Sequence, residues 1–492
     1  MGSAVSSALS AVGQAVITVG VFTMNPMMVL AGATMVAGAT ALAPRPDVPS
    51  LDASAYRQQL KNTNLMQKQS VTVRETVYGS TKKSGAILYM DATDNNKRLH
   101  MIIELASHEI QSIDKVYFDN DELTLTTINT DANSIARQRP TAPAKYNHVS
   151  DFRGLPLDII YTRQAVEIKF HLGSDTQLAD ADLVNQVSKW TADHRLRGIA
   201  YIYAQLDYDA DMFPNGVPNI SAEIKGKKVL DFRTGSTTHS DNPALCIFDY
   251  LTDTKLGLGI SASNIDTTSF TTMANLCDES VTKVGGGTEK KYTCNGIVFS
   301  NNTPMEILNN LLTSCLGVLS YSNGKFILKG GQYVAPSITL TDDDFVSPIA
   351  IESKRSRKDL FNTVKGIFRS EESEWQPSDY PIVTSSTFTD ADGESIFANI
   401  NLPFTTSSAT CQRIAKISLF KNRQQIVLSA QIKMTGFKLQ VGDTVAVTNT
   451  RLGFSSKQFE VAEWSFSNDG SPTISIILNE TSSSVYDWNA EE

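Results

Sequence analysis

With 492 residues the chain is too long for one ordinary hydrophobic core, and two to four domains are expected. Apolar residues make up 41% and charged residues 19%, which excludes a disordered body. The formal charge of −9 lacks the basic footprint of a chain that grips nucleic acid by counterion release, so no sequence-specific nucleic-acid binding is expected.

The first 44 residues hold no Asp, Glu, Lys or Arg, and the first charge is Arg45. A signal peptide is a poor fit, because the basic leading region is missing and the apolar stretch from about Val12 to Leu42 is too long. Asn25-Pro26 divides the stretch, so two helices are expected, at about 4–22 and 26–42. Each would rise roughly 25 Å, short of a hydrocarbon layer of about 30 Å, and a helical hairpin fits better than a span. Ala33, Ala37 and Ala41 recur at four-residue spacing and would let the helices approach closely. Two uses remain open: a buried hairpin inside an assembly, or a segment stored there and later inserted into a host membrane. Pro44-Arg45-Pro46-Asp47-Val48-Pro49 reads as a stiff linker.

From Ser70 to about Leu125 short alternating runs predict strands, among them Ala86–Met90 after Tyr78-Gly79-Ser80. Ile113–Phe118 and Leu123–Leu125, joined by Asp119-Asn120-Asp121-Glu122, read as a hairpin. Val166–Phe170 and Ala200–Leu206 add strands, with a helix near Ala179–His194 between them. Helical signals then gather. Asp241-Asn242-Pro243 caps a run through Leu251, and Ser269–Glu279 has helical spacing. Thr303-Pro304-Met305-Glu306 is a capping box that places Ile307, Leu308, Leu311, Leu312 and Cys315 on one face, with Gly317 at the stop. Ser322-Asn323-Gly324 between two apolar runs predicts a type I′ hairpin. From about residue 345 strands return, at 425–428, 443–447, 459–464 and 474–478. The order is therefore β, α/β, β.

No residue pattern points to chemistry, and no catalytic, cofactor-binding or metal-ligating residues are assigned. The histidines His100, His108, His148, His171, His194 and His239 are scattered, without paired ligand spacing. There is no G-x-S-x-G or Walker loop, and Gly285-Gly286-Gly287 reads as a plain loop. Asp342-Asp343-Asp344 fits a solvated turn, with calcium binding as the alternative. Paired carboxylates of a wall-degrading site are spatial and escape a sequence reading. Cys246, Cys277, Cys294, Cys315 and Cys411 are odd in number, with no C-x-x-C, and read as buried thiols. Pairing of Cys277 with Cys294 across the glycine-rich turn is the alternative.

Several segments carry a family resemblance. VYGSTKKSGAILYM (77–90), RLRGIAYIYAQLDYD (195–209), FPNGVPNISAEIKGKKVLDFRTG (213–235) and NPALCIFDYLTDTKLGLGI (242–260) resemble the phage tail hub and tip attachment proteins of long-tailed phages. The lambda-like tail tip protein is the best-known type. CDESVTKVGGGTEKKYTCNGIV (277–298), LFNTVKGIF (360–368), WQPSDYPIV (375–383) and VGDTVAVTNTRLGFSSKQFEVAEWSF (441–466) follow in the same order. The resemblance runs from about residue 70 to the C-terminus.

It implies an α+β fold, mainly β, with two β-barrel hub domains flanking an α/β domain; the apolar helical hairpin read from the residues would precede them. The expected division is 1–46 hairpin and linker, 47–238 first barrel domain with inserted helix, 239–345 α/β domain and 346–492 second barrel domain. It further implies a non-enzymatic virion protein, a homotrimeric hub at the distal end of the tail that closes the tube and takes part in host attachment and DNA ejection. Its implied partners are distal tail or tube proteins, the tape measure protein and tail fibres; contact with the host membrane through residues 1–44 is a further expectation that comes from the uncharged stretch itself. The alternatives are a tail-associated cell-wall hydrolase and a membrane-active pore component acting through residues 1–44. Unlike the long family members, the sequence stops at Glu492, just after the second barrel, so separate fibre proteins are expected to read the receptor.

Overall fold

The computed structural model describes residues 63–68, 72–129, 137–142, 147–150, 161–164, 166–210, 212–283, 286–467 and 471–488. The expected hairpin of residues 1–44 and its linker lie outside them. The described fold is mainly β with a few helices.

The N-terminal part of the described chain holds β1 (Glu75–Tyr78), β2 (Ser80–Lys83), β3 (Ile87–Thr93), β4 (Arg98–Ala106), β5 (Ile110–Phe118), β6 (Asp121–Asn129), β7 (Arg137–Ala142), β8 (Asn147–Ser150), β9 (Tyr161–Gln164), β10 (Val166–His171), β11 (Ala200–Asp207), β12 (Ile220–Asp231) and β13 (Ser236–His239), of which all but β1, β8 and β9 form the first sheet. Strands β8 and β9 pair only with each other, and β1 pairs with a later strand. The main path runs β13-β12-β5-β6-β7-β10-β11-β4-β3, with β2 on the free side of β12. The expected β5–β6 hairpin forms, with Phe118 opposite Asp121 and Asp119 at φ +54° in the turn. Ile103 and Leu105 of β4, Val116 and Phe118 of β5, Ile202 of β11 and Ile220 of β12 share one core, so the sheet curls around it.

The path does not close, which corrects the expectation of a closed barrel for this unit as far as the described residues go. Its two sides nevertheless end on one stretch of chain. Strand β2 pairs with β12, Ser80 opposite Lys225, and β3 pairs with β4, Ile87 opposite Ile103. Only Ser84-Gly85-Ala86 separates them. Gly85 is required there, because a Cβ would stand 1.5 Å from the Glu104 carbonyl oxygen. On the outer face a short helix, α1 (Ala181–Gln186), covers Ile102, Tyr201 and Tyr203. It is shorter than the expected 179–194, because the chain turns repeatedly after Val187, with Trp190 N–H donating to Val187 and Leu196 at φ +47°.

The helical core holds α2 (Pro243–Thr252), α3 (Thr267–Asp278) and α4 (Pro304–Thr313) with β14 (Ser280–Thr282), β15 (Thr288–Lys290), β16 (Gly296–Phe299), β17 (Gly317–Ser322) and β18 (Lys325–Gly330). The caps are those of the sequence reading. The Asn242 side chain accepts from Ala244 N–H at 3.0 Å, and Thr303 and Glu306 form the capping box at 3.3 and 3.0 Å. The β17–β18 turn places Asn323 at φ +53° and Gly324 at +78°, as a type I′ turn needs. All five cysteines are free and buried. Cys277 and Cys294 are therefore not joined, and the thiols of Cys246 and Cys315 donate instead to the Ser240 and Leu312 carbonyls.

The same core continues beyond residue 345. Val364, Phe368, Tyr380, Leu402 and Phe404, with Cys411, Ile414 and Leu419, pack against Leu245, Phe270 and Leu308. They belong to the small strands β21 (Thr363–Lys365) and β22 (Ile367–Arg369), to nearby loops, and to the long helix α6 (Ser408–Arg423), which the sequence reading missed. Strands β23 (Pro377–Asp379), β24 (Val383–Thr384) and β25 (Phe397–Asn399) and helix α5 (Ser386–Asp392) complete this region.

The second sheet has the order β19-β27-β28-β29-β26-β20, from β19 (Ile338–Leu340), β20 (Ala350–Glu352), β26 (Val427–Ile432), β27 (Thr444–Asn449), β28 (Phe454–Ser467) and β29 (Thr473–Glu480). Leu340, Leu428, Val445, Phe459 and Ile476 form its core. It too is open. Its two edges are again consecutive strands, β19 and β20, and Phe345 between them bridges to Ile432. The two sheets differ in detail, since β19 pairs parallel to β27 whereas β2 pairs antiparallel to β12.

Candidate functional site: the joint between the first sheet and the helical core

A polar cleft of about 830 Å³ lies where the first sheet meets the helical core, and a smaller pocket of about 200 Å³ adjoins it through Thr81, Asn295, Trp375 and Thr406. Glu223 on β12 is the hub of its hydrogen bonds. It accepts from the Tyr117 hydroxyl at 2.7 Å and from Trp375 Nε1 at 3.3 Å, and pairs with Lys115 at 3.3 Å. Burial first and the hydrogen bond to Glu223 second push the Tyr117 hydroxyl far above its ordinary range. Lys82 stands over the Tyr117 ring at 3.6 Å, and burial lowers its ammonium.

Trp375 is the keystone. Its carbonyl accepts from Arg369 Nε at 2.5 Å, and the Arg369 guanidinium also donates to Asn64 Oδ1 at 2.6 Å and to the Lys82 carbonyl. Arg369 is 4% exposed, so each of these bonds satisfies a charge removed from water. Across the cleft, Glu289 on β15 sits at the N-terminus of α6. It accepts from the Ser407 and Thr410 hydroxyls at 2.7 and 3.2 Å and from Arg413 Nη2 at 3.2 Å. Its charge complements the helix dipole. Asn295 ties the two sides, accepting from Ser80 N–H at 2.8 Å and donating to Thr406 at 3.1 Å.

Glu223 and Glu289, on the two sides of the cleft, are thus held in hydrogen bonds to neighbouring side chains. Among the described residues no three His, Cys, Asp or Glu side chains gather as a metal site would require. Asp342 accepts from Asn449 and Thr450, and Asp344 from Thr341 and Thr435, so those carboxylates hold a turn together. The histidines are dispersed: His100 bonds Tyr203 at 2.8 Å, His171 bonds Asp180 at 2.9 Å and His194 bonds Thr191. His108 accepts from Val77 N–H at 2.9 Å, and burial lowers it to about 4, so it is a neutral structural acceptor. The cysteine thiols Cys246, Cys277 and Cys411 are raised by burial and are poor nucleophiles. No helix among the described residues is long and apolar enough to cross a membrane. The joint is built to hold elements together. Sequence reasoning did not assemble it, although one signal was present, since the quoted segment WQPSDYPIV begins on Trp375.

Comparison with known proteins agrees with this structural character. Residues 304–464 match the family model described as a putative phage tail protein. The chain is 21% identical over 326 residues to the tip attachment protein J of Escherichia phage SECphi27, covering 58% of this chain and 26% of that protein. It is 22% identical over 319 residues to the baseplate hub protein pb3 of Escherichia phage T5, covering 60% of this chain and 33% of that one. The chain is thus similar to phage tail tip and baseplate hub proteins. It spans a quarter to a third of the length of these two relatives. Its fold matches a chain from the virion of a native gene transfer agent particle at a TM-score of 0.59, with 13% identity and coverage of 93% and 97%. The expected virion location agrees with these names, a tip attachment protein, a baseplate hub protein and a chain of a virion particle.

Proposed function

We propose that this chain is a structural hub protein of a phage tail tip, three copies of which form a ring that joins and closes the distal end of the tail tube. The observation that carries the reading is the pair of curled sheets in one chain, each with its two edges on consecutive strands, β2 and β3 in the first and β19 and β20 in the second. Two barrel-like units per subunit, repeated three times, make a ring of six similar units, which matches a six-fold tube. The helical core, reaching from α2 to α6, is the spacer that sets the angle between the units. We keep the division into residues 1–46, 47–238, 239–345 and 346–492 as a working scheme for this reading.

Residues 1–44, with no charged side chain, are material for a plug in the lumen that leaves during host attachment and DNA ejection. Distal tail and tube proteins, the tape measure protein and fibres are the partners this role requires. The fixed hydrogen bonds of the joint favour a non-enzymatic role. Electron microscopy of the purified particle tests the reading: three copies around the tail axis are expected, and any other number refutes it. Clearing of peptidoglycan by the purified protein would refute the non-enzymatic part.

A further inference from the structure

The stretch Thr63–Gln67 makes bonds out of proportion to its length. The Thr63 carbonyl accepts from Ser84 N–H at 2.7 Å, Gln67 N–H donates to the Gly85 carbonyl at 3.0 Å, and the Gln67 carbonyl accepts from Ile87 N–H at 2.8 Å. These bonds fall on the bend between β2 and β3, where the two sides of the first sheet meet. Lys83 reinforces the same seam from β2, donating to the Leu105 carbonyl of β4 at 2.6 Å.

Asn64 in the middle of the stretch faces both halves of the molecule. Its side chain accepts from Arg369 at 2.6 Å and donates to the Trp375 carbonyl at 3.4 Å, while its own carbonyl accepts from Asn219 Nδ2 at 2.7 Å. Asn219 returns to the stretch, its Oδ1 accepting from Met66 N–H at 2.7 Å. The far anchor is strained, with Glu374 at φ +53° and Trp375 at +59°, conformations that bulky side chains rarely adopt unless neighbours impose them. Leu65, at the centre, is 55% exposed, so the stretch lies on the surface rather than in a core.

We propose that Thr63–Gln67 is a strap that keeps two closures shut together: the seam of the first sheet at Ser84–Ile87, and the joint to the C-terminal half at Arg369–Trp375. Residues 1–62 precede it, so a force or a partner acting on them reaches both closures through these bonds. Peeling the strap leaves the bend at Gly85 without its backbone partners and removes an acceptor from buried Arg369, which frees the strained turn at Glu374–Trp375 to relax. The strap is thus a conformational device, and it does not depend on the number of copies in the assembly.

Hydrogen exchange by mass spectrometry on the full chain tests the coupling. Asn219→Ala cuts the strap only on the first-sheet side and does not touch the 370–376 turn. Exchange in 370–376 is nevertheless expected to quicken at least tenfold, together with that in 84–87, while β26–β29 keep their rates. Asn64→Ala, which cuts the other side, is expected to quicken 84–87 by a similar factor. Leu65→Ala, which changes only the exposed residue, is the control and is expected to leave both segments unchanged. The proposal is overturned if each substitution loosens only its own neighbours, or if every segment of the chain quickens alike.

Discussion

Glu463 offers a quantitative test of how the second sheet is built. It lies on β28 just after the bulge at Val461, opposite Ile477, and is 8% exposed. Its Oε1 has no hydrogen-bond partner, and burial alone raises the carboxyl from 4.5 up to about 7. In the unfolded chain the carboxyl loses its proton near 4.5, whereas in the folded chain it holds it until about 7. Between these values the folded state binds more protons, so stability falls as pH rises, and the loss is complete above about 7. At about 1.4 kcal/mol per tenfold change in proton affinity, the upper limit is about 3.4 kcal/mol. Partial solvation of the carboxyl reduces the expected loss to about 2 kcal/mol. Glu463→Gln removes the ionisation and keeps the shape. Urea unfolding followed by circular dichroism at pH 4 to 8 is expected to find the variant equal to the parent near pH 4 and about 2 kcal/mol more stable at pH 8. A difference that does not change with pH, or a variant weaker at pH 8, would refute a buried, unpaired carboxyl.

His108 is expected to behave in the opposite sense. Its folded value of about 4 lies below the ordinary 6.5, so its contribution is full above 6.5 and is lost as pH falls toward 4, and an imidazole NMR titration that ends near 6.5 would contradict the burial. Thr303→Ala removes one half of the α4 capping box and should cost about 1 kcal/mol in denaturant unfolding, with an unchanged midpoint counting against the cap. Gly85→Ala must push a methyl group into the Glu104 carbonyl and should cost about 1–3 kcal/mol, with faster amide exchange at Glu104 and Ile87 as its local signature. Wild-type stability with unaltered exchange would mean that the bend is not closely packed against β4.

What could be read from the sequence was what local chemistry decides. The caps at Asn242 and Thr303, the Asn323-Gly324 turn and the β5–β6 hairpin each depend on a few neighbouring residues, and each appears where the pattern put it. Helix α6 escaped although Cys411, Ile414, Ala415 and Leu419 recur at helical spacing, because the polar and charged residues among them dilute the stripe. Cys411, Ile414, Ala415, Ile417 and Leu419 are buried on more than one side, and Arg413 is buried with them because Glu289 and the Lys291 carbonyl take its charge. The polar run Thr405-Thr406-Ser407-Ser408 before it reads as loop, although Ser407 is its cap.

The joint was out of reach for a different reason. Asn64 and Trp375 are 311 positions apart, and nothing in either neighbourhood announces the other. Hydrophobic patterning specifies which face of an element turns inward, but it does not say which polar residues will meet once two cores are brought together. The two sheets bury separate cores, so neither needs the other for its own packing. Their relative placement passes through the helical core, which is joined to the first unit by the β1–β16 ladder, by Tyr78 and Val229 packed into it, and by the directional bonds of Glu223, Arg369 and Trp375. The polar bonds among these can be broken without unfolding either sheet, since water can satisfy the groups they expose. The role proposed above calls for such a separation between stable units and a breakable joint.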